Sequence, residues 1–80
     1  MNILLFGIAK DIVGQSVLEV EDGANSPRTV GELKNYIVQQ YPKFQELSSL
    51  AIAVNSNYAS DMMKVNDGDE VAIIPPVSGG

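Results

Sequence analysis

The residues with the clearest chemical use are the last two. The sequence closes on Pro75-Pro76-Val77-Ser78-Gly79-Gly80, and the expectation is that the carboxylate of Gly80 is itself the working group. Elimination supports this. The chain has no Cys and no His. Without Cys there is no disulfide, no thiolate nucleophile and no cysteine-ligated metal. Without His the commonest acid–base group and metal ligand at neutral pH is missing. What remains is 10 Asp and Glu, 5 Lys and Arg, 3 Tyr and scattered hydroxyls. The carboxylates cluster only at Asp67-Gly68-Asp69-Glu70, which reads as a solvated turn, because a Ca²⁺ loop needs more oxygen ligands at regular spacing. Neither a metal site nor a cofactor bound by this chain is expected.

A terminal carboxylate is a poor electrophile. Its ordinary pKa of about 3.5 leaves it ionised at neutral pH, so it must be activated before an acyl group can move. Conversion to an acyl-adenylate, with ATP used by an activating partner, is the expected route. A nucleophile then takes the acyl group. With no Cys, any sulfur this chain carries must sit at the C-terminus as a thiocarboxylate, and the chain then works as a group carrier in the way lipoamide or coenzyme A does. The tail suits delivery. Pro75-Pro76 favours extended polyproline geometry, which leaves little conformational entropy to lose on binding. Gly79 and Gly80 have no Cβ and fit a channel too narrow for other side chains. Fully extended, Pro76 to Gly80 reaches about 17 Å, deep enough to enter a partner's active site while the domain stays outside.

The body that must position this tail is small. Its 80 residues make one domain with a modest core, divided here into a folded part over 1–74 and an extended tail over 75–80. No apolar run approaches the roughly 20 residues that cross a bilayer. The stretch Met1 to Gly7 has no basic region ahead of its apolar residues, so it does not read as a signal peptide. A cytoplasmic protein with no membrane partner is expected. The net charge of −5 speaks against nucleic acid, which calls for a basic face, and favours a partner with a basic surface.

Ile3 to Ile8 reads as a strand that is apolar on both faces, and so as one lying inside a sheet. Lys10-Asp11 to Gly14 reads as a turn, and Gln15 to Glu21 as a second strand paired to the first as a hairpin. Asp22 to Pro27 is turn chemistry. Thr29-Val30-Gly31-Glu32 forms a capping box, opening a helix whose apolar face is Val30, Leu33, Ile37 and Tyr41. Pro42 ends it, and Phe44 and Leu47 tuck a following turn under the core. Leu50 to Val54 reads as a third strand, Asn55-Ser56-Asn57 as a turn and Tyr58 to Val65 as a weakly patterned stretch holding a short strand. After the turn at Asn66 to Asp69, Glu70 to Ile74 is a last strand, again apolar on both faces, ended by Pro75-Pro76.

The first and last strands are therefore expected at the sheet's centre, parallel to each other. The fold class is α+β: a mixed sheet of four to five strands wrapped around one main helix, the β-grasp arrangement of ubiquitin-like domains. One helix covers only one face of a sheet. With Ile3, Leu5, Val71 and Ile73 facing that helix, Leu4, Phe6, Ile8 and Ile74 face outward, and an exposed apolar patch of that kind marks a partner surface.

The segment Asp67 to Gly80, with its double proline, Val, a small residue and Gly-Gly, resembles the small subunits of molybdopterin synthases. So do Leu4-Leu5-Phe6-Gly7-Ile8-Ala9-Lys10-Asp11-Ile12-Val13-Gly14 and Ala53-Val54-Asn55. The resemblance spans nearly the whole chain and is weakest over 15–28 and 42–50. It implies that an E1-like enzyme adenylates Gly80 and that a sulfur-donor system converts it to a thiocarboxylate. It further implies that the tail Pro75, Pro76, Val77, Ser78, Gly79 threads into the large catalytic subunit, where sulfur passes to cyclic pyranopterin monophosphate to build the dithiolene of molybdopterin. The family's hydrophobic contact surface maps onto Phe6, Tyr58 and Ile74, and Lys10 is placed to pair with an acid on the partner. The family usually has an aromatic residue at position 74 and often Arg-Glu where Lys10-Asp11 stands. Its assembly is a heterotetramer of two large and two small subunits. Other readings are a thiamine-pathway sulfur carrier, against which the Pro75-Pro76 pair argues, a ubiquitin-like modifier, or a plain interaction module.

Overall fold

A computed structural model describes residues 1–21, 26–47, 50–66 and 68–74. Its elements in chain order are β1 (Asn2–Leu5), α1 (Gly7–Val13), β2 (Val17–Glu19), α2 (Val30–Gln40), a 3₁₀ turn (Pro42–Glu46), β3 (Ala51–Val54), β4 (Asn57–Tyr58) and β5 (Val71–Ile74). The strands form one sheet in the order β2-β1-β5-β3-β4. The first and last strands are its central pair and run parallel, with Ile3 opposite Val71 and Leu5 opposite Ile73. The other three pairings are antiparallel. A mixed sheet with its first and last strands side by side and α2 packed on one face is the β-grasp fold.

Alternation sorts the side chains of the sheet. Ile3, Leu5, Ile52, Val54, Val71 and Ile73 all point to one side and are at most 2% exposed. They meet Val30, Leu33 and Ile37, the i, i+3, i+7 stripe of α2. Phe44 of the 3₁₀ turn closes one side of this core and packs edge-on against the half-buried Tyr41, with ring centroids 6.4 Å apart. Helix α2 starts as its capping box requires: the Thr29 hydroxyl accepts the Glu32 N–H at 3.2 Å. The reciprocal arm differs from the usual box, because the Glu32 carboxylate accepts the N–H of Arg28 rather than that of Thr29. Two further N–H groups of the first turn, those of Val30 and Gly31, donate to the carbonyls of Met63 and Asp61, both at 2.9 Å. The segment after β4 is thereby docked on the start of α2.

The expected first strand is too long. It stops at Leu5, and the residues from Gly7 to Val13 are helical, so the turn expected at Lys10 to Gly14 is instead the second half and the end of α1. The cause lies in two glycines. Gly7 takes a φ of +55°, which bends the chain out of the sheet at no steric cost. Gly14, at φ +89°, ends the helix in left-handed geometry with its N–H on the Lys10 carbonyl. Between them Ala9 is buried and Ile12 and Val13 are half-buried, an i, i+3, i+4 face that a period-two reading of so short a run conceals. Ile8 is exposed, but on this helix rather than on the sheet, so it leaves the outward sheet face assigned to it.

Candidate docking face

The face of the sheet turned away from α2 is built by the residues between the core positions. Leu4 pairs with Val17 on one side and Ala72 on the other; Ala72 pairs with Ala53, and Ala53 with Tyr58. One row therefore crosses the whole sheet as Val17, Leu4, Ala72, Ala53, Tyr58. A shorter row sets Ala51 against Ile74, with Phe6 just past the end of β1. The two alanines leave a depression between larger neighbours. An open groove of about 260 Å³ results, walled and floored by Leu4, Phe6, Ala53, Tyr58, Ala72 and Ile74, with Ser56 and Glu70 supplying its polar part. Phe6 is 49% exposed and Tyr58 76%; Leu4 and Ile74 are half-buried.

The structure thus brings Phe6, Tyr58 and Ile74 onto one surface. It does not bring Lys10 there: Lys10 is exposed on α1 and makes no salt bridge among the described residues. Pro75, Pro76, Val77, Ser78, Gly79 and Gly80 lie outside the described residues, as does Asp67 of the acidic turn. The last described residue, Ile74, ends β5 at the same end of the sheet as Phe6, since Leu5 is paired with Ile73. Any chain continuing from Ile74 therefore starts beside the apolar groove.

The turn that carries Tyr58 is held by side chains at the opposite end of β5. Asn55 and Ser56 have φ values of +52° and +71°, the two positive angles of a type I′ hairpin turn, which Asn tolerates better than most residues. The Asn55 N–H donates to the Glu70 carbonyl at 2.7 Å, and the Glu70 N–H donates to Asn55 Oδ1 at 2.9 Å. Asn55 Nδ2 donates to Asp69 Oδ1 at 3.1 Å, while Asp69 Oδ2 accepts the Asn66 N–H at 2.8 Å. The Asn66 backbone N–H, and after it the Asn55 amide, hold the Asp69 carboxyl below its ordinary value.

Sequence reasoning quotes Ala53 only within a family motif and does not single out Ala72, Val17 or the Asn55–Asp69 pair. The Asn55-Ser56-Asn57 triplet between two apolar runs was the available signal for the turn type. No local signal marks the two alanines, because their adjacency depends on register. Among the described residues no polar or charged side chain is buried, and no three acidic groups gather as a metal site would need.

Comparison with known proteins identifies the family of the chain. A molybdopterin synthase sulfur carrier subunit from Dictyostelium discoideum is 40% identical, over 99% of this chain and 94% of that one. The solved structure of a putative molybdopterin converting factor subunit 1 from Pyrococcus furiosus superposes with a TM-score of 0.79 at 27% identity, covering 95% of each chain. A chain from a complex of subunits 1 and 2 of the molybdopterin-converting factor of Helicobacter pylori gives a TM-score of 0.62 at 25% identity, over 99% of this chain and 96% of that one. The ThiS family matches residues 3–80, and on that near full-length match the chain belongs to the ThiS family.

Proposed function

We propose that this chain is the sulfur-carrier subunit of a molybdopterin synthase and catalyses nothing alone. The carrying observation is the full-length similarity to proteins named for that role, joined to an apolar groove at the end of the sheet from which the Pro75–Gly80 segment continues. In the first step the Gly80 carboxylate attacks the α-phosphate of ATP on an E1-like partner, releasing pyrophosphate and leaving an acyl-adenylate. A sulfur-donor system then supplies sulfur at the sulfide level, as HS⁻, which attacks the acyl carbon, expels AMP and leaves a thiocarboxylate. The groove docks on the large subunit, chiefly through Phe6, Tyr58 and Ile74, with Lys10 meeting an acid at the margin. The tail enters that subunit's active site, where its sulfur bonds to cyclic pyranopterin monophosphate and water cleaves the acyl–sulfur bond, returning the Gly80 carboxylate. Two small and two large subunits make up the cytoplasmic assembly.

The glycine carboxylate is the reacting group, so the test is direct. The intact mass of the full chain, after incubation with ATP, the activating enzyme and a sulfur source, should correspond to sulfur in place of one oxygen. Deleting Gly80 should abolish that change and all sulfur transfer while leaving thermal unfolding unchanged. Transfer by the deleted chain would sink the proposal. Complementation of molybdenum-cofactor-deficient but not thiamine-deficient cells should follow; the reverse pattern would assign the chain to the thiamine pathway.

A further inference from the structure

Tyr58 is the most exposed of the groove's apolar residues, yet the strand that carries it is the least secured. β4 has two residues, lies at the sheet edge and pairs only with β3. With 76% of its surface exposed, Tyr58 gains little position from packing. What fixes β4 is the turn before it, and the turn is bolted to the start of β5 through Asn55. Four hydrogen bonds converge on that residue: its N–H to the Glu70 carbonyl, its Oδ1 from the Glu70 N–H, its Nδ2 to Asp69, and its carbonyl from Asn57 Nδ2. The residues joined are 14 and 15 positions apart in sequence, so the clasp ties the hairpin tip to the central strand.

We propose that Asn55 is a positioning residue for the docking face: its clasp to Asp69 and Glu70 sets Tyr58 as one wall of the groove. This rests on the reading of the groove as the large-subunit surface. Asn55 itself need not touch the partner. Its two roles are separable by chemistry. Glycine at 55 keeps the positive φ without strain but removes both side-chain hydrogen bonds. Aspartate at 55 keeps the acceptor for the Glu70 N–H but replaces the amide donor with a carboxylate facing Asp69, turning an attraction into a repulsion.

The test is a double-mutant cycle read as affinity of the full chain for the purified large subunit, by calorimetry. Tyr58→Ala should weaken binding about thirtyfold and Asn55→Gly about tenfold, the range for a central and a supporting interface residue. In the Tyr58→Ala background, Asn55→Gly should add nothing, because Asn55 acts through Tyr58. Additive losses would overturn the positioning role. So would wild-type affinity in Asn55→Gly while Tyr58→Ala binds weakly. Wild-type affinity in Tyr58→Ala and Phe6→Ala together would instead overturn the docking reading itself. If Asn55→Gly does not fold, Asp69→Ala removes the amide–carboxylate arm of the clasp from the other side and enters the same cycle with the same two outcomes. Faster exchange of the Ala59 amide, which donates to the Ile52 carbonyl just past Tyr58, should accompany the affinity loss; unchanged exchange would contradict the loosened strand.

Discussion

The two faces of the sheet are made of nearly the same residue types and do opposite things. Leu5 and Leu4 are neighbours, as are Ile73 and Ile74, yet Leu5 and Ile73 are at most 2% exposed while Leu4 and Ile74 are only half-buried. Hydrophobicity does not separate them; coverage does. Helix α2 lies on one face, and among the described residues nothing lies on the other. The uncovered face also differs in size: alanines occupy the centre of its long row, where the covered face carries valines and isoleucines. An interior is filled to crystal-like density, whereas a face awaiting a partner keeps room for that partner's side chains. The inner face stores stability, and on the proposed reading the outer one is kept for binding.

The sharpest way to break this contrast is one substitution on each side of β5. Ile73→Ala removes a fully buried branched side chain and should cost about 3 kcal/mol of folding stability, the middle of the range for buried aliphatic truncations, measured by denaturant unfolding. Ile74→Ala, one residue on, should cost under about 1 kcal/mol. Equal losses would mean that the outer face is covered from within the chain. Phe6→Ala should show the complementary pattern. It should weaken binding to the large subunit by about 2 kcal/mol, about thirtyfold in the dissociation constant, as a central aromatic does, while moving folding stability by under about 1 kcal/mol. Unchanged binding by calorimetry would place the partner surface elsewhere, on α1 for example, where Ile8 is exposed.

How far the contrast could be read from sequence depends on how local its causes are. The stripe Val30, Leu33, Ile37 and the Thr29 cap are encoded within one helix, and both appear in the structure, although Glu32 reaches back to the Arg28 N–H rather than to that of Thr29. β5, β3 and the central placement of β1 follow from short apolar runs with turn residues at each end. Helix α1 was hidden because Leu4-Leu5-Phe6-Gly7-Ile8-Ala9 is apolar at every step but one, so the run itself cannot tell period two from period 3.6; only the φ of Gly7 decides. A short strand is expected within Tyr58 to Val65, but its place at Asn57–Tyr58 is not legible, because two residues carry no periodicity. Of the docking face, Phe6 and Ile74 were legible as the odd partners of buried neighbours. The floor at Ala53 and Ala72 and the clasp at Asn55 were not, because each needs strands that are distant in sequence to be set in register.

The cover over the inner face has its own weak point, and a smaller effect should come from it. The Thr29 hydroxyl satisfies one N–H of the first turn of α2, and losing an N-cap of this kind costs about 1 kcal/mol. Thr29→Ala should lower stability by that amount, and Thr29→Ser should restore most of it, since serine keeps the acceptor. A loss that Ser does not restore would assign the effect to the packing of the threonine methyl rather than to the cap.

The smallest effect should distinguish the two faces by their response to acid. No charged side chain is buried among the described residues, so the inner face itself has nothing to titrate. The outer face is held at its far corner by Asp69, whose carboxyl is kept below its ordinary value first by the Asn66 N–H and then by the Asn55 amide. A carboxyl with a lowered folded pKa lends stability above its unfolded pKa, and that contribution drains away as pH falls through the folded value. Near-neutral pH should therefore show the clasp intact, and progressive acidification below the ordinary carboxylate range should release it. Because Asp69 is solvent-accessible, the effect on global unfolding should be slight. The proper readout is local: the amide exchange of Ala59 and the ring signals of Tyr58, followed from neutral to acidic pH in the wild-type chain and in Asp69→Asn. The variant should exchange faster than wild type at neutral pH, and the two should converge in acid as the wild-type carboxyl takes up its proton. A gap that stays constant into acid would mean that the charge of Asp69 does not hold the turn, leaving the two hydrogen bonds between Asn55 and Glu70, one backbone and one through Asn55 Oδ1, as its anchor.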